Sequence, residues 1–249
     1  MIILKSKKEI DKMAEACQIV AMTLAYLSEK VRPGITTKEL ELMADSFIRE
    51  QGAIPAFKGY RGYPASICTS VNNEVIHGIP SERVLEEGDI LGIDLGVYKN
   101  GFYGDAAYTF PVGKITPEAE RLLRVTERAL YLGIANAKVN NRISDISYTI
   151  QSFVESNGFS VVRAFVGHGI GRNLHEDPQV PNFGEPGKGP RLKAGMTLAI
   201  EPMVNEGTHE VVILEDGWTA VTLDGKLSAH FEHTILVTDD EPVILTKMN

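Results

Sequence analysis

Cysteine is nearly absent from this chain. Its 249 residues include only Cys17 and Cys68, which excludes a disulfide framework and fits a reducing compartment. Long apolar runs are also missing, and none approaches the roughly 18 residues of a membrane span. The opening Met1-Ile-Ile-Leu4 is too short for the apolar core of a signal peptide. The expectation from these absences is a cytoplasmic protein with no membrane association. Basic charge is in deficit: 25 Lys and Arg against 33 Asp and Glu give a net charge of −8. The basic face of a nucleic-acid-binding protein is therefore not expected.

What is present is a repeat. Leu85-Glu-Glu-Gly-Asp-Ile-Leu-Gly-Ile-Asp94-Leu-Gly-Val97 and Leu192-Lys-Ala-Gly-Met-Thr-Leu-Ala-Ile-Glu201-Pro-Met-Val204 share Leu, Gly, Leu, Ile and Val in register. The pattern aligns Asp94 with Glu201. Each carboxylate is expected in the middle of an apolar strand, where an ionised group costs several kcal/mol unless it is paired or binds a metal. Two such carboxylates in equivalent places suggest a duplicated scaffold around one site.

The order of elements repeats as well. Ser6-Lys-Lys-Glu9 reads as a capping box opening a helix, which Val31-Arg-Pro-Gly34 ends. Thr36-Thr-Lys-Glu39 opens a second, which stops near Gly52. Helical periodicity vanishes between about 55 and 112, where short β-rich runs alternate with turns. Thr116-Pro117-Glu118 starts a third helix, and a fourth covers about 144–156. Strands dominate from 161 onward, with 177–190 read as a Pro- and Gly-rich loop. The expectation is a single α+β domain over 1–249, with pseudo-symmetric halves of about 1–112 and 113–249.

Asn100-Gly101 is a strong two-residue hairpin signal. As the turn, it pairs Asp94 with Ala107 and Asp105 with Gly96. The two aspartates then share one face as diagonal neighbours, roughly 7–8 Å apart. Glycines 96 and 104 are expected to leave room for a cation between them. Glu201, Glu232 within Ala229-His-Phe-Glu232-His-Thr, expected in another buried strand, and His168 within Gly167-His-Gly169 complete an inventory of four carboxylates and one imidazole. Each has a plainer reading alone: an ion pair for Asp94 or Glu232, turn chemistry for Asp105, a satisfied core histidine for His168. Together, hard oxygen donors with one imidazole suit Mn, Fe(II), Co or Zn, in a two-metal site rather than a structural zinc site.

In that order, Asp94, Asp105, His168, Glu201 and Glu232 resemble the metal ligands of the methionine aminopeptidases. The surrounding segments resemble the type I, bacterial-style branch: Gly62-Tyr-Pro-Ala-Ser-Ile-Cys68, His77-Gly-Ile-Pro80, Gly167-His-Gly-Ile-Gly-Arg172, His175-Glu-Asp-Pro178, Glu215-Asp-Gly-Trp218 and Phe231-Glu-His-Thr234. The resemblance spans nearly the whole chain. It implies the pita-bread α+β fold, in which two pseudo-symmetric halves surround a curved antiparallel sheet with helices outside. The activity it implies is removal of the initiator methionine from nascent proteins whose second residue is small. Two divalent ions (Co, Mn, Fe(II), Zn or Ni) are implied as cofactors, with Asp94 chelating one, His168 and Glu201 holding the other, and Asp105 and Glu232 bridging. The resemblance also implies that a metal-bound hydroxide attacks the scissile carbonyl, that Glu201 shuttles a proton, and that His77 and His175 hydrogen-bond the substrate amide and the oxyanion.

The resemblance further implies a methionine pocket of Phe57, Tyr60, Tyr63, Cys68, His77, Leu174, His175 and Trp218. Leu174 stands where an aromatic residue is expected, and Phe57 where a smaller residue can occur. A monovalent cation (Na or K) is implied at Asn72 and Ser228. The implied partner is the N-terminal methionine of a nascent polypeptide. Ribosome contact would follow from the nature of that substrate, although no residue marks it, and a monomer is the default. Two other readings compete: an X-Pro aminopeptidase of the same fold, which usually has an extra N-terminal domain, and a non-catalytic binding protein that kept the fold, whose known kind has lost ligands.

Overall fold

The computed structural model describes residues 1–247. The first half runs α1 (Lys7–Ser28), α2 (Thr37–Glu50), β1 (Ile54–Pro55), β2 (Cys68–Val71), β3 (Glu74–Ile76), β4 (Ile90–Lys99) and β5 (Phe102–Pro111). The second half repeats the order, with α3 (Pro117–Ala135) and α4 (Ile143–Ser156) before a longer series of strands. These are β6 (Ser160–Val161), β7 (Gly167–Gly169), β8 (Glu176–Val180), β9 (Thr197–Ile200), β10 (Met203–Asn205), β11 (Val211–Ile213), β12 (Ala220–Thr222), β13 (Ser228–His230), β14 (His233–Leu236) and β15 (Val243–Ile244).

The helices begin where their caps place them. The Ser6 N–H donates to Glu9 Oε2 at 2.9 Å. The Thr36 hydroxyl accepts from the Glu39 N–H at 3.1 Å, and Thr116 does the same for Ala119 at 3.2 Å, with Pro117 in the first turn. Each bond satisfies a donor that a helix start leaves free. The start of α4 carried no such signal. There the Arg142 N–H donates to Asp145 Oδ2 at 2.7 Å, so the acidic residue three places on supplies the cap.

The β4–β5 hairpin turns at Asn100-Gly101, both left-handed (φ 53 and 87), and its register pairs Asp94 with Ala107 and Gly96 with Asp105 as expected. Alternation along β4 then separates two environments. Leu91, Ile93, Leu95 and Val97 are fully buried in the core that also takes residues of α1 and α2. Their burial stabilises the fold by roughly 1.5–3 kcal/mol each. Gly92, Asp94 and Gly96 occupy the other face.

The glycines do not leave room for a cation. A Cβ at Gly96 would lie 2.7 Å from the Phe57 ring, and one at Gly104 would lie 2.8 Å from the α1 backbone at Cys17. They let Phe57 and α1 pack against the hairpin.

The second half also differs from the first at its acidic residues. Glu201 and Glu232 are not inside strands. Glu201 follows the end of β9, before Pro202 and β10, and Glu232 sits between β13 and β14. At both breaks the chain changes sheets. β9 and β14 belong to the sheet of order β15-β14-β9-β7-β8, whereas β10 and β13 belong to that of order β13-β10-β6. The repeat expected from sequence therefore survives as one continuous hairpin and one broken one. The expected loop at 177–190 is also partly strand: β8 pairs with β7. It tolerates Pro178 because it is the outer strand of its sheet.

The halves meet along β5. The Glu232 N–H donates to the Ala107 carbonyl at 2.9 Å. The Thr109 hydroxyl donates to the His230 carbonyl at 2.8 Å and accepts from the His230 N–H at 2.9 Å. This seam brings the acidic residues of both halves together.

Candidate metal centre and pocket

Asp94 lies opposite Cys68 of β2 and Ala107 of β5, and Asp105 lies diagonally from it on the same face. His168 comes from β7, between β8 and β9. Its flanking glycines admit close backbone: a Cβ at Gly167 would meet the Ala199 carbonyl at 2.4 Å, and one at Gly169 the Asp177 carbonyl at 2.1 Å. The His168 Nε2 is 3.5 Å from Glu201 Oε1 and 4.0 Å from Asp105 Oδ2. The Asn182 amide donates to the Glu201 carbonyl at 3.0 Å and holds its backbone.

The donor set needs a cation. Asp94 Oδ1, Asp105 Oδ1 and Glu232 Oε1 are buried and have no hydrogen-bond partner. Burial pushes the Asp94 carboxyl up to about 7. Burial, then repulsion between neighbouring carboxylates, pushes Asp105, Glu201 and Glu232 well above the ordinary carboxylate range. Four acidic groups crowded without positive charge cannot all ionise. Asp105, His168 and Glu232 offer ligand atoms within 4.8 Å of one another. The imidazole could serve as a ligand: His168 Nδ1 donates to the Gly169 carbonyl at 2.9 Å, which leaves the Nε2 lone pair toward the carboxylates. Burial lowers its pKa to about 3, so it stays neutral. The residues fit divalent metal ions.

All thirteen side chains expected at the centre or in the pocket are brought together. The five acidic and imidazole groups, together with Phe57, Tyr60, Tyr63, Cys68, His77, Leu174, His175 and Trp218, line one cavity of about 350 Å³. Its walls are largely apolar. Tyr63 meets Trp218 edge to face at 5.1 Å. His77 is left-handed (φ 61) and packs edge-on to Phe165 at 5.8 Å. Burial lowers its pKa to about 4. A non-glycine residue held in that conformation is a feature of functional loops. His175 lies 4.1 Å from the His168 ring, tilted 36° to it, and Tyr60 is hydrogen-bonded to His175 at 2.9 Å. Asn72 and Ser228 lie outside this cavity but adjoin each other, the Ser228 N–H donating to the Asn72 carbonyl at 2.9 Å.

Sequence reasoning missed several residues. Arg61, Ile76 and Phe165 also line the cavity. His230 is buried, its Nε2 has no hydrogen-bond partner, and it lies 4.0 Å from Glu201 Oε2. Its position two residues before Glu232 was the available signal. In the strand expected there from sequence, that spacing puts both side chains on one face.

The likeness to known proteins extends over this whole arrangement. Metallopeptidase family M24 matches residues 11–239. A methionine aminopeptidase of Clostridium perfringens is 61% identical over 99% of each chain. The crystal structure of a methionine aminopeptidase from Thermotoga maritima superposes with a TM-score of 0.98 at 49% identity, covering all of both chains. A prolidase from Pyrococcus furiosus, at 22% identity and a TM-score of 0.82, shares the fold alone, and this chain spans 66% of it. The fold is therefore the α+β pita-bread fold. With its carboxylate and histidine centre in place and its relatives matched end to end, the chain belongs to metallopeptidase family M24, among the bacterial type I methionine aminopeptidases.

Proposed function

We propose that residues 1–249 form one catalytic domain that hydrolyses the peptide bond after an N-terminal methionine when the second residue is small. One observation carries this reading: a largely apolar, aromatic-walled cavity is also lined by Asp94, Asp105 and Glu232, each with a buried carboxylate oxygen that has no hydrogen-bond partner. Asp94 would hold one divalent ion, His168 and Glu201 a second, and Asp105 and Glu232 would lie between them. Bound there, such ions lower the pKa of water and polarise a carbonyl. Co, Mn, Fe(II), Zn and Ni all suit the donor set.

The chain's own groups do the rest. Phe57, Tyr60, Tyr63, Cys68, Leu174 and Trp218 enclose the methionine side chain, whose thioether suits aromatic walls. His77 donates to the substrate amide. His175 donates to the oxygen on which negative charge develops, a group stabilised by preorganised donors. Glu201 accepts a proton from the attacking water and passes it to the departing amine. Asn72 and Ser228 are proposed to adjoin a monovalent cation (Na or K). The enzyme is proposed to act in the cytoplasm as a monomer on nascent chains near the ribosome. Among the described residues no helix is long and apolar enough to cross a membrane.

The test is mass spectrometry of Met-Ala-Ser and Leu-Ala-Ser incubated with chelator-stripped protein, before and after Mn, Co or Fe(II) is added. Metal-dependent loss of methionine alone is expected, and Glu201→Gln should abolish most of it while the protein stays folded. Absence of cleavage with every metal, in protein shown to be folded, would favour the non-catalytic binding protein.

A further inference from the structure

The His168 and His175 rings lie 4.1 Å apart, tilted 36° to each other, yet their ring nitrogens are committed differently. In His168 the Nδ1 proton is fixed by the Gly169 carbonyl, since a carbonyl can only accept. In His175 the Nδ1 faces the Tyr60 hydroxyl at 2.9 Å, and a hydroxyl can donate or accept. The two rings also stack, 5.4 Å apart and 13° from parallel.

Tyr60 is held firmly for this contact. Gly59, Arg61 and Gly62 are all left-handed (φ 83, 49 and 90), and they set a tight turn. The Tyr60 N–H donates to the Phe57 carbonyl at 2.9 Å, and the Tyr63 N–H to the Tyr60 carbonyl at 2.9 Å. The Arg61 guanidinium lies over the Tyr60 ring, 5.4 Å from its centre.

We propose that Tyr60 is a positioning residue whose hydroxyl donates to His175 Nδ1 and so places the single ring proton on Nε2. The inference rests on the role given to His175 above. If the hydroxyl accepted instead, Nε2 would be a bare lone pair with no proton to offer an oxyanion. Donation by Tyr60 leaves Nε2–H as the donor for the substrate. The two adjoining histidines then hold opposite tautomers: His168 presents a lone pair to a metal, and His175 presents a proton to the substrate. Sequence placed Tyr60 only in the pocket wall, and the hydrogen bond gives it this second task.

The test uses Tyr60→Phe, which keeps the stacked ring and removes only the hydroxyl. Nitrogen-15 shifts of the histidine rings in the Zn-loaded protein report which nitrogen bears the proton, with His175→Asn identifying the His175 signals. Wild-type protein is expected to show His175 protonated at Nε2 and bare at Nδ1, and Tyr60→Phe to show a mixture. Loss of a properly held donor is expected to lower kcat on Met-Ala-Ser by about tenfold with KM nearly unchanged. Wild-type His175 protonated at Nδ1 would overturn the proposal. So would a Tyr60→Phe variant with the wild-type tautomer and kcat, or one that raises KM and loses methionine preference at constant kcat. If wild-type protein released no methionine with any metal, the functional reading would fail, and the nitrogen shifts would still decide the tautomer.

Discussion

Thr234 grips Asp105 twice: its hydroxyl donates to the Asp105 carbonyl at 2.7 Å and accepts from the Asp105 N–H at 3.1 Å. A residue two places after Glu232 in the second half thus fixes the backbone of an acidic residue in the first. Thr234→Val keeps the shape and removes both bonds. It should destabilise the protein by about 1–3 kcal/mol, because buried backbone groups are left unpaired. Metal affinity should fall with it. Urea denaturation and calorimetric metal titration check this, and unchanged affinity would show that the seam does not set the centre's geometry.

Acidity should govern the stability of the metal-free protein. Asp94 has a folded pKa of about 7, above its ordinary 3.8, and Asp105, Glu201 and Glu232 are raised as well. The protonated groups contribute stability below their unfolded pKa, and it is lost as pH rises through the folded value. The buried His77, His168 and His230, lowered to about 4, 3 and 3 from 6.5, have the opposite sign, and their contribution is complete above about pH 6.5. From about pH 6.5 to 8 the carboxyls therefore decide. The metal-free Tm should fall over this range, and saturating metal should suppress the fall. A metal-free Tm that rises across it would contradict the assignment.

Lys5 and Glu176 form a buried pair, 2.5 Å apart with side chains 3% and 4% exposed. Glu176 follows His175 directly, and its other oxygen accepts from the Asn173 N–H at 3.1 Å. Lys5→Met should cost about 3–5 kcal/mol by leaving an unpaired buried carboxylate. Adding Glu176→Gln should recover much of that loss. Chemical denaturation of the single and double variants measures both, and simple additivity of the two losses would mean the pair is not coupled.

Trp218 stands against Tyr63 and within 6.4 Å of His77, centre to centre. It does not belong to the acidic cluster. Trp218→Ala should lower the preference for methionine over leucine peptides by about tenfold, the scale of a lost apolar pocket contact. Metal content by elemental analysis should not change. Lost metal would give Trp218 a structural role instead.

The hairpin register was legible because a two-residue turn fixes it: Asn100-Gly101 alone puts Asp94 and Asp105 on one face. Helix starts were legible from Ser6, Thr36 and Thr116, whose side chains act within three residues. The strand breaks at Glu201 and Glu232 were not, because what divides those strands is pairing with different sheets, a long-range relation that period-2 patterning does not carry. Gly96 and Gly104 misled for a similar reason: an absent side chain signals space without saying that Phe57 and Cys17 fill it. The Tyr60–His175 contact joins residues 115 apart and leaves no local trace.

The central claim is that five side chains from two halves make one two-metal centre. Anomalous diffraction from crystals grown with Co(II) tests it most directly. Two peaks about 3.5–4 Å apart, enclosed by Asp94, Asp105, His168, Glu201 and Glu232, are predicted. No peak there, with cobalt bound elsewhere or not at all, would contradict the account.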